Sequence, residues 1–353
     1  MNKKILMFIV IIFSVISLNA GININNNSYI GYTSNIYKNS YDLSDNYFRN
    51  DLMLFYNNKE FSIETFFEYM KYFDYEFENY NHFNIEPKYI LPISLYTDLI
   101  FKAGFNDYIY NNYKYMNNYD YKFITTFKYD TLFSLRNLVS FQYENKIFQN
   151  NNLDYEEFSI YNNLYYYISV ETILNLYINY SITSWNEKNL WLDSNTVSED
   201  IPKDNKLELE TRLEHMLSDN LIATIYLNYE NQTSELSSII TVDNTEKFEK
   251  DIYSYNLIEI GNSFSLYYNN WSFLISNSFA FKKYNERKII TQNLQIGDDK
   301  VYNNIYNLDI NVEKSFSPAA GLDLNFNYEK NDSNDFYING SGYNIEGGIY
   351  FQF

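Results

Sequence analysis

Three carboxylates recur at every fourth position of one stretch, at Glu60, Glu64 and Glu68. Successive side chains of an extended chain point to opposite faces, so residues four apart share a face. Such a row would line one wall of a sheet with negative charge. It could form a ladder for cations, or it could only keep the wall hydrated.

A second charged row contains Glu208, Glu210, Arg212 and Glu214. The charged residues that the alternation places on comparable polar faces are Arg49, Asp51, Glu60, Glu64, Glu68, Asp98, Lys102, Lys122, Arg136, Glu208, Glu210, Arg212, Glu214, Asp309, Glu313 and Asp323. Acidic residues predominate, which predicts a mild preference for cations if these faces line an aqueous path. Because salt screens exposed charges over roughly 8–10 Å, the alternative is an ordinary solvated wall with little selectivity.

The sequence offers little acid–base or metal chemistry. It contains no cysteine and two histidines, His82 and His215, which the strand pattern places on different strands near opposite edges. An acidic stretch at 193–204, with Asp193, Glu199, Asp200 and Asp204, lacks the glycine-anchored spacing of a calcium loop. We therefore predict no enzyme, no catalytic residue, no metal site and no cofactor.

Composition restricts the class of protein further. Aromatic residues make up 20% of the 353 residues, and the formal net charge is −19. An aromatic-rich chain is a poor candidate for disorder. A polyanion of this size repels nucleic acid, so no nucleic-acid partner is expected. The absence of cysteine also excludes disulfides and a lipid-modified cysteine after a leader.

The chain from residue 28 onward alternates apolar and polar residues. In 172–184, leucines, isoleucines and a tyrosine at even positions oppose asparagine, tyrosine, serine and threonine at odd positions. A period of two predicts strands with one apolar face. We count about sixteen such strands, within a range of about fourteen to eighteen. The predicted spans are 28–38, 46–57, 59–71, 80–91, 94–105, 118–130, 131–145, 154–169, 171–186, 204–217, 220–234, 251–268, 271–286, 300–315, 320–331 and 341–353.

The spacers between these strands alternate in length. Short ones are predicted near 57–58, 92, 130, 170–171, 219, 269–270 and 317–318. Longer polar ones fall near 39–45, 72–79, 106–117, 146–153, 187–203, 235–250, 287–299 and 332–340. This sorting is typical of an all-β, antiparallel, up-and-down transmembrane barrel, with short periplasmic turns and longer outer loops. Aromatic clusters near strand ends, such as 165–167 and 267–268, fit the interfacial girdle better than sugar-stacking sites.

The first twenty residues have the layout of an export signal. Lys3 and Lys4 precede an apolar stretch from Ile5 to Leu18, and Ala20 ends the segment. The apolar stretch is too short to span a membrane comfortably as a helix. We expect a cleaved signal peptide at 1–20 and a single barrel at 21–353. An exported chain of this pattern is expected in the outer membrane.

The C-terminal strand carries a family resemblance. Ile349, Phe351 and Phe353 alternate with more polar residues, which resembles the last strand of bacterial outer-membrane β-barrel proteins. The resemblance implies lipid contact and recognition of this strand by the barrel-assembly machinery. Strand number and size are similar to sixteen-stranded porins, although the predicted loop 106–117 is short for a loop that folds into the pore.

The resemblance implies a porin-like channel for passive diffusion of small polar solutes or ions, as a monomer or a homotrimer. The alternative is a non-conducting structural or adhesive barrel that is exposed at the surface through its polar outer loops.

Overall fold

A computed structural model describes most of the chain. The described residues are 22–35, 44–112, 114–131, 134–149, 154–186, 190–191, 197–198, 201–236, 238–242, 245–249, 251–292, 295–336 and 338–352. The barrel strands are β1 (Ile22–Thr33), β2 (Asp45–Asn57), β3 (Phe61–Tyr72), β4 (Tyr80–Ser94), β5 (Thr97–Tyr110), β6 (Asn118–Asp130), β7 (Leu135–Phe148), β8 (Tyr155–Tyr167), β9 (Thr172–Trp185), β10 (Lys203–Ser218), β11 (Leu221–Ser234), β12 (Tyr255–Tyr268), β13 (Trp271–Ile290), β14 (Ile296–Ser317), β15 (Ala320–Ser333) and β16 (Gly340–Gln352).

These strands form one closed antiparallel barrel in sequence order. Each strand pairs with its neighbours along the chain, and β1 pairs with β16 from Asn25–Gln352 to Thr33–Asn344. The barrel strands are 12 to 22 residues long, which exceeds the roughly 9–11 residues that a tilted strand needs to cross a bilayer. The predicted fold class and the predicted number of sixteen strands are confirmed.

The connections also alternate in length. Short turns such as 58–60, 219–220 and 269–270 lie at one end of the barrel, which we call the short-turn end, with the start of β1 and the end of β16. The other end, the long-loop end, carries two short 3-10 helices, Glu76–Glu78 and Lys114–Met116, and two small hairpins, Leu190–Trp191 with Val197–Ser198 and Ser238–Val242 with Thr245–Glu249. No helix in the described part of the chain has the length and apolar character needed to cross a membrane.

Several predicted boundaries were wrong. The first strand spans Ile22–Thr33 instead of 28–38, because β1 pairs with β2 from Ile22 onward although its alternation at Ile22 and Ile24 is interrupted by the polar run 25–28. The turn expected at Pro92 lies at 95–96, and Pro92 pairs with Asp98 beside a register shift. The loop expected at 287–299 is shorter, because β13 continues to Ile290 and β14 begins at Ile296, so the two strands extend as a two-stranded ribbon beyond their neighbours.

The two faces of the barrel differ in polarity. One face carries the large exposed apolar side chains, such as Phe141, Ile178, Ile225 and Leu324. The opposite face carries the ion pairs and most of the buried polar side chains, including Ser140, which is 1% exposed. Side chains converge on the concave side of a closed sheet and diverge on the convex side. The polar face is therefore the inner wall, and the apolar face points outward.

Tyrosines pack over glycines on the inner wall. The ring of Tyr47 lies where a Cβ on Gly31 would be, and Tyr29 occupies the corresponding position at Gly348. Tyr226 covers Gly261 in the same way. Each glycine leaves room for a cross-strand ring, so the inner wall near these sites is lined by aromatic rings lying against the sheet.

Candidate functional site: the inner wall

The carboxylate row of β3 is shorter than predicted. Glu64 and Glu68 lie on the inner wall. In the strand register, Glu64 lies opposite Phe55 and Glu86, and Glu68 lies opposite Asp51 and His82. Glu60 lies outside the strand, in the exposed turn 58–60, where its backbone N–H donates to Asn58 Oδ1 at 3.0 Å. The ion pairs between described residues leave out Glu64 and Glu68.

Strands β4 to β7 carry a mixed-charge section of the inner wall. Lys128 Nζ lies 2.9 Å from Asp98 Oδ2 and 3.1 Å from Asp130 Oδ2. Arg136 Nε continues the row at 2.9 Å from Asp130 Oδ1. Lys102 pairs with Glu86. The predicted residues Asp98, Lys102 and Arg136 therefore stand in compensated pairs and add little net charge to the wall.

A second charged section lies on β10 and β11. Arg212 Nη2 lies 3.0 Å from Glu210 Oε1. Lys206 Nζ lies 3.0 Å from Glu230 Oε2 and 3.8 Å from Glu208 Oε2, so one ammonium serves two acids. Glu214 shares the inner face with Thr224 but takes part in none of the ion pairs between described residues. This section keeps an excess of negative charge.

Strands β14 to β16 form a wall of amides and carboxylates. Asn311 Nδ2 donates to Asp323 Oδ1 at 2.7 Å, and Asn327 donates to Asp309. Glu313 accepts a long hydrogen bond of 3.5 Å from Ser315. Amide donors satisfy these acids without neutralising them. Neither Asp309 nor Glu313 takes part in an ion pair between described residues.

Arg49 is the centre of the seam at which the barrel closes. Its Nη1 lies 3.0 Å from Glu346 Oε2 and its Nε lies 3.2 Å from Asp51 Oδ2. Its guanidinium lies 4.3 Å from the ring centroid of Tyr29. Tyr47 Oη donates to the same Glu346 at 2.9 Å. The seam is thus held by charge-assisted bonds between strands that are far apart in sequence.

Aromatic rings line the inner wall at the long-loop end. Tyr72, Tyr110 and Phe148 end β3, β5 and β7, and the backbone N–H of each donates to an Asn or Asp side chain at the end of the following loop, over 2.6–2.7 Å. The ring of Tyr80 lies 5.6 Å from that of Tyr110. Lys146 Nζ lies 5.5 Å from the ring of Phe148. The contact between Lys146 and Phe148 is a cation–π contact, in which the negative face of the ring attracts the ammonium.

The loop at 111–117 lies along the rim. Asn112 Nδ2 donates to the Glu76 carbonyl at 3.2 Å, and Asn117 Nδ2 donates to Gln149 Oε1 at 3.1 Å. These bonds tie its described residues to the two neighbouring loops. The loop is also shorter than the predicted 106–117, because β5 continues to Tyr110.

The two histidines lie on opposite faces. His82 is on the inner wall, where its ring stacks on Tyr108 at 3.9 Å and its Nε2 lies 3.3 Å from Asn106 Oδ1. His215 is on the outward face near the short-turn end, with Nδ1 2.8 Å from Thr172 Oγ1. The described residues contain no group of three or more potential metal ligands.

Several charged residues of the inner wall were missed. Glu86, Lys128, Asp130, Lys206, Glu230 and Glu346 all pair with residues that were predicted or lie next to them. The same alternation could have identified them. Glu346, for example, is an odd number of residues away from Ile349 and Phe351, which places it on the face opposite to theirs.

Ile349 and Phe351 lie on the outward face and are 46% and 41% exposed. Other predicted features lie outside the described residues, namely the leader 1–20, Phe353, and the acidic residues Asp193, Glu199 and Asp200.

The chain resembles solved barrels across almost its whole length. OccAB3 of Acinetobacter baumannii matches with a TM-score of 0.52 and 10% identity over 95% of this chain and 100% of that chain. OccAB2 of the same organism gives 0.51 and 8% over 94% and 98%. CdiB from Acinetobacter baumannii gives 0.51 and 11% over 94% of this chain and 60% of that chain. At such low sequence identities, the similarity shows a shared fold and nothing about function.

No family model matches the chain, and no curated protein matches its sequence. The solved structures that it resembles are bacterial outer-membrane proteins, and the barrel fits the outer membrane. The exposed apolar side chains of the outward face are consistent with contact with lipid.

Proposed function

We propose that the protein is a porin-like channel for passive diffusion of small polar solutes across the outer membrane, with a mild preference for cations. The observation that carries the proposal is the inner wall of a sixteen-stranded barrel, where Glu64, Glu68 and Glu214 take part in none of the ion pairs between described residues. Barrels of this size leave an aqueous channel. Rings of uncompensated carboxylates favour cations in such a channel.

The proposal assigns the charged residues of the inner wall to solute contact and includes no catalytic step. It further takes 1–20 as a cleaved export signal and 21–353 as one barrel. Ile349, Phe351 and Phe353 are proposed to be recognised by the barrel-assembly machinery. The outward position of Ile349 and Phe351 supports a lipid-facing stripe at the last strand.

The test is single-channel recording of the refolded mature chain in a planar bilayer, with the reversal potential measured under a potassium chloride gradient. We expect discrete conductance steps and a reversal potential displaced toward that of potassium. Heat-modifiable gel mobility and a strand-dominated circular dichroism spectrum would first establish that the barrel has folded.

A folded barrel that never conducts would overturn the channel and favour the non-conducting surface role. A conducting barrel with an anion-directed reversal potential would overturn the cation preference alone.

A further inference from the structure

A groove of about 730 Å³ crosses the outer surface beside the seam. Ser28 and Ile30 of β1, Gly347 of β16, Leu324 of β15 and Val312 of β14 line it, and its walls are almost wholly apolar. We call it the seam groove. It runs from Trp271 on β13 to Phe48 on β2, across six neighbouring strands, which corresponds to a length of roughly 24 Å at the usual strand spacing.

The seam groove exists because of small residues on the outward face. Gly347 has no side chain, and a Cβ placed there would meet only Leu324 Cδ1, at 3.9 Å. Ser28 is also small, whereas the side chain of Ile30 beside it is 70% exposed. The groove is therefore an indentation in a belt that is elsewhere covered by aromatic and aliphatic side chains.

A single cation stands at one end of the groove. Lys314 lines it, and its Nζ lies 4.8 Å from the ring centroid of Trp271, with which it also pairs across β13 and β14. Among the described strand residues, Lys314 is the only lysine or arginine on the outward face in the short-turn half, where His215 on β10 is the other basic residue type. Outward-facing lysines such as Lys71, Lys203, Lys283 and Lys330 lie near the long-loop end.

We propose that the seam groove binds a phospholipid of the leaflet at the short-turn end, with its phosphate at Lys314 and one acyl chain along Gly347. A lysine beside a tryptophan at an interface presents its ammonium to lipid phosphate. Since bilayer tails are as apolar as the groove, shape fit and the charge contact select this lipid over its neighbours.

The charge argues against a second copy of the chain as the occupant. A symmetric interface would bury Lys314, and an unpaired buried charge is costly. Strands β13 to β16 carry no acidic side chain on the outward face of the short-turn half that a second copy could offer. Asp323 also lines the groove, but its carboxylate lies on the inner wall, where it accepts from Asn311. A lipid phosphate supplies the missing negative charge.

The test is native mass spectrometry of the full mature barrel refolded in micelles with phosphatidylglycerol or phosphatidylethanolamine. We expect the parent to retain one molecule of either phospholipid, a loss of at least fivefold in the bound fraction for Lys314→Ala, and loss of both lipids for Gly347→Leu. Lys330→Ala, an outward lysine near the long-loop end, is the matched control and should bind as the parent does.

Unchanged retention in Lys314→Ala would overturn the phosphate contact, and this variant alters no packing inside the barrel. An oligomer that dissociates in Gly347→Leu while lipid retention stays constant would replace the lipid with a second copy. Because no step depends on conductance, the outcome is independent of whether the barrel forms a channel.

Discussion

Arg49 Nη1 lies 3.0 Å from Glu346 Oε2, so β2 is tied to β16 across the intervening β1. Closing a barrel requires its first and last strands to find one register. Backbone ladders alone define register weakly where side chains are polar, because a slip by two residues keeps the same faces. The Arg49–Glu346 ion pair favours the observed register. If β1 slipped by two residues against β16, the two charged side chains would no longer lie within contact distance.

Glu346→Ala should weaken the closed seam. Glu346 is 5% exposed, and its loss leaves Arg49 and Tyr47 without their shared acceptor. We expect the free energy of unfolding to fall by about 3 kcal/mol, as for the loss of one partner of a buried pair. Urea unfolding in lipid vesicles, followed by tryptophan fluorescence, measures this change. Glu313→Gln, an inner-wall change outside the seam, is the control, and equal midpoints for both variants would contradict the role of the pair.

Two adjacent glycines of β16 should respond differently to the same change. A Cβ at Gly348 would overlap the ring of Tyr29, whereas a Cβ at Gly347 meets only Leu324, at 3.9 Å. We expect Gly348→Ala to lower the free energy of unfolding by about 1–3 kcal/mol through overpacking. Gly347→Ala should remain within about 1 kcal/mol of the parent. The same urea titration compares them, and equal losses would show that the tyrosine packing over Gly348 is unimportant.

Alternation of residue type was sufficient to predict the barrel, because each strand has a lipid-facing apolar set with a period of two. It failed where the alternation was too short to recognise. At the start of β1, Ile22 and Ile24 are followed by the polar run 25–28, and at the end of β13 a charged stretch is followed by two consecutive isoleucines, Ile289 and Ile290, so no sustained periodicity marked these segments as strands. Pro92 was predicted to lie in a turn, but it lies within β4 beside a register shift. A strand tolerates proline at such an irregularity.

The composition of the inner wall was predictable, but its pairing was not. Asp98 and Lys128 are 30 residues apart and meet only because of the register between β5 and β6. The seam contact between Arg49 and Glu346 depends in addition on closure of the whole barrel. Such contacts require three-dimensional register, which a single sequence does not specify. The role of Lys314 could not be predicted from the sequence either, because it depends on the outward position of this side chain and on the seam groove beside it.

Asn117→Ala should destabilise the loop at 111–117. Asn117 Oδ1 accepts from the Tyr110 N–H at 2.7 Å, and its amide donates to Gln149 Oε1. We expect the substitution to cost about 1 kcal/mol, the usual net contribution of a hydrogen bond. Faster amide hydrogen exchange at Tyr110 would report the loss locally. Asn117→Asp keeps the acceptor and should protect Tyr110 as the parent does, whereas equally fast exchange in both variants would show that the bond is not responsible.

Neutralising carboxylates that stand outside the ion pairs should reduce cation preference more than removing a compensated pair. Glu64 and Glu68 lie on the inner wall outside the ion pairs of the described residues, whereas Glu86 is paired with Lys102. We expect Glu64→Gln with Glu68→Gln to move the reversal potential toward zero under a salt gradient, because two negative charges leave the channel wall. The double variant Glu86→Gln with Lys102→Met removes one charge of each sign, so its reversal potential should stay near that of the parent. The difference should shrink at high ionic strength, since the Debye length falls to about 3 Å at 1 M salt. Equal shifts in the two double variants at low salt would show that net charge on this wall does not set the selectivity.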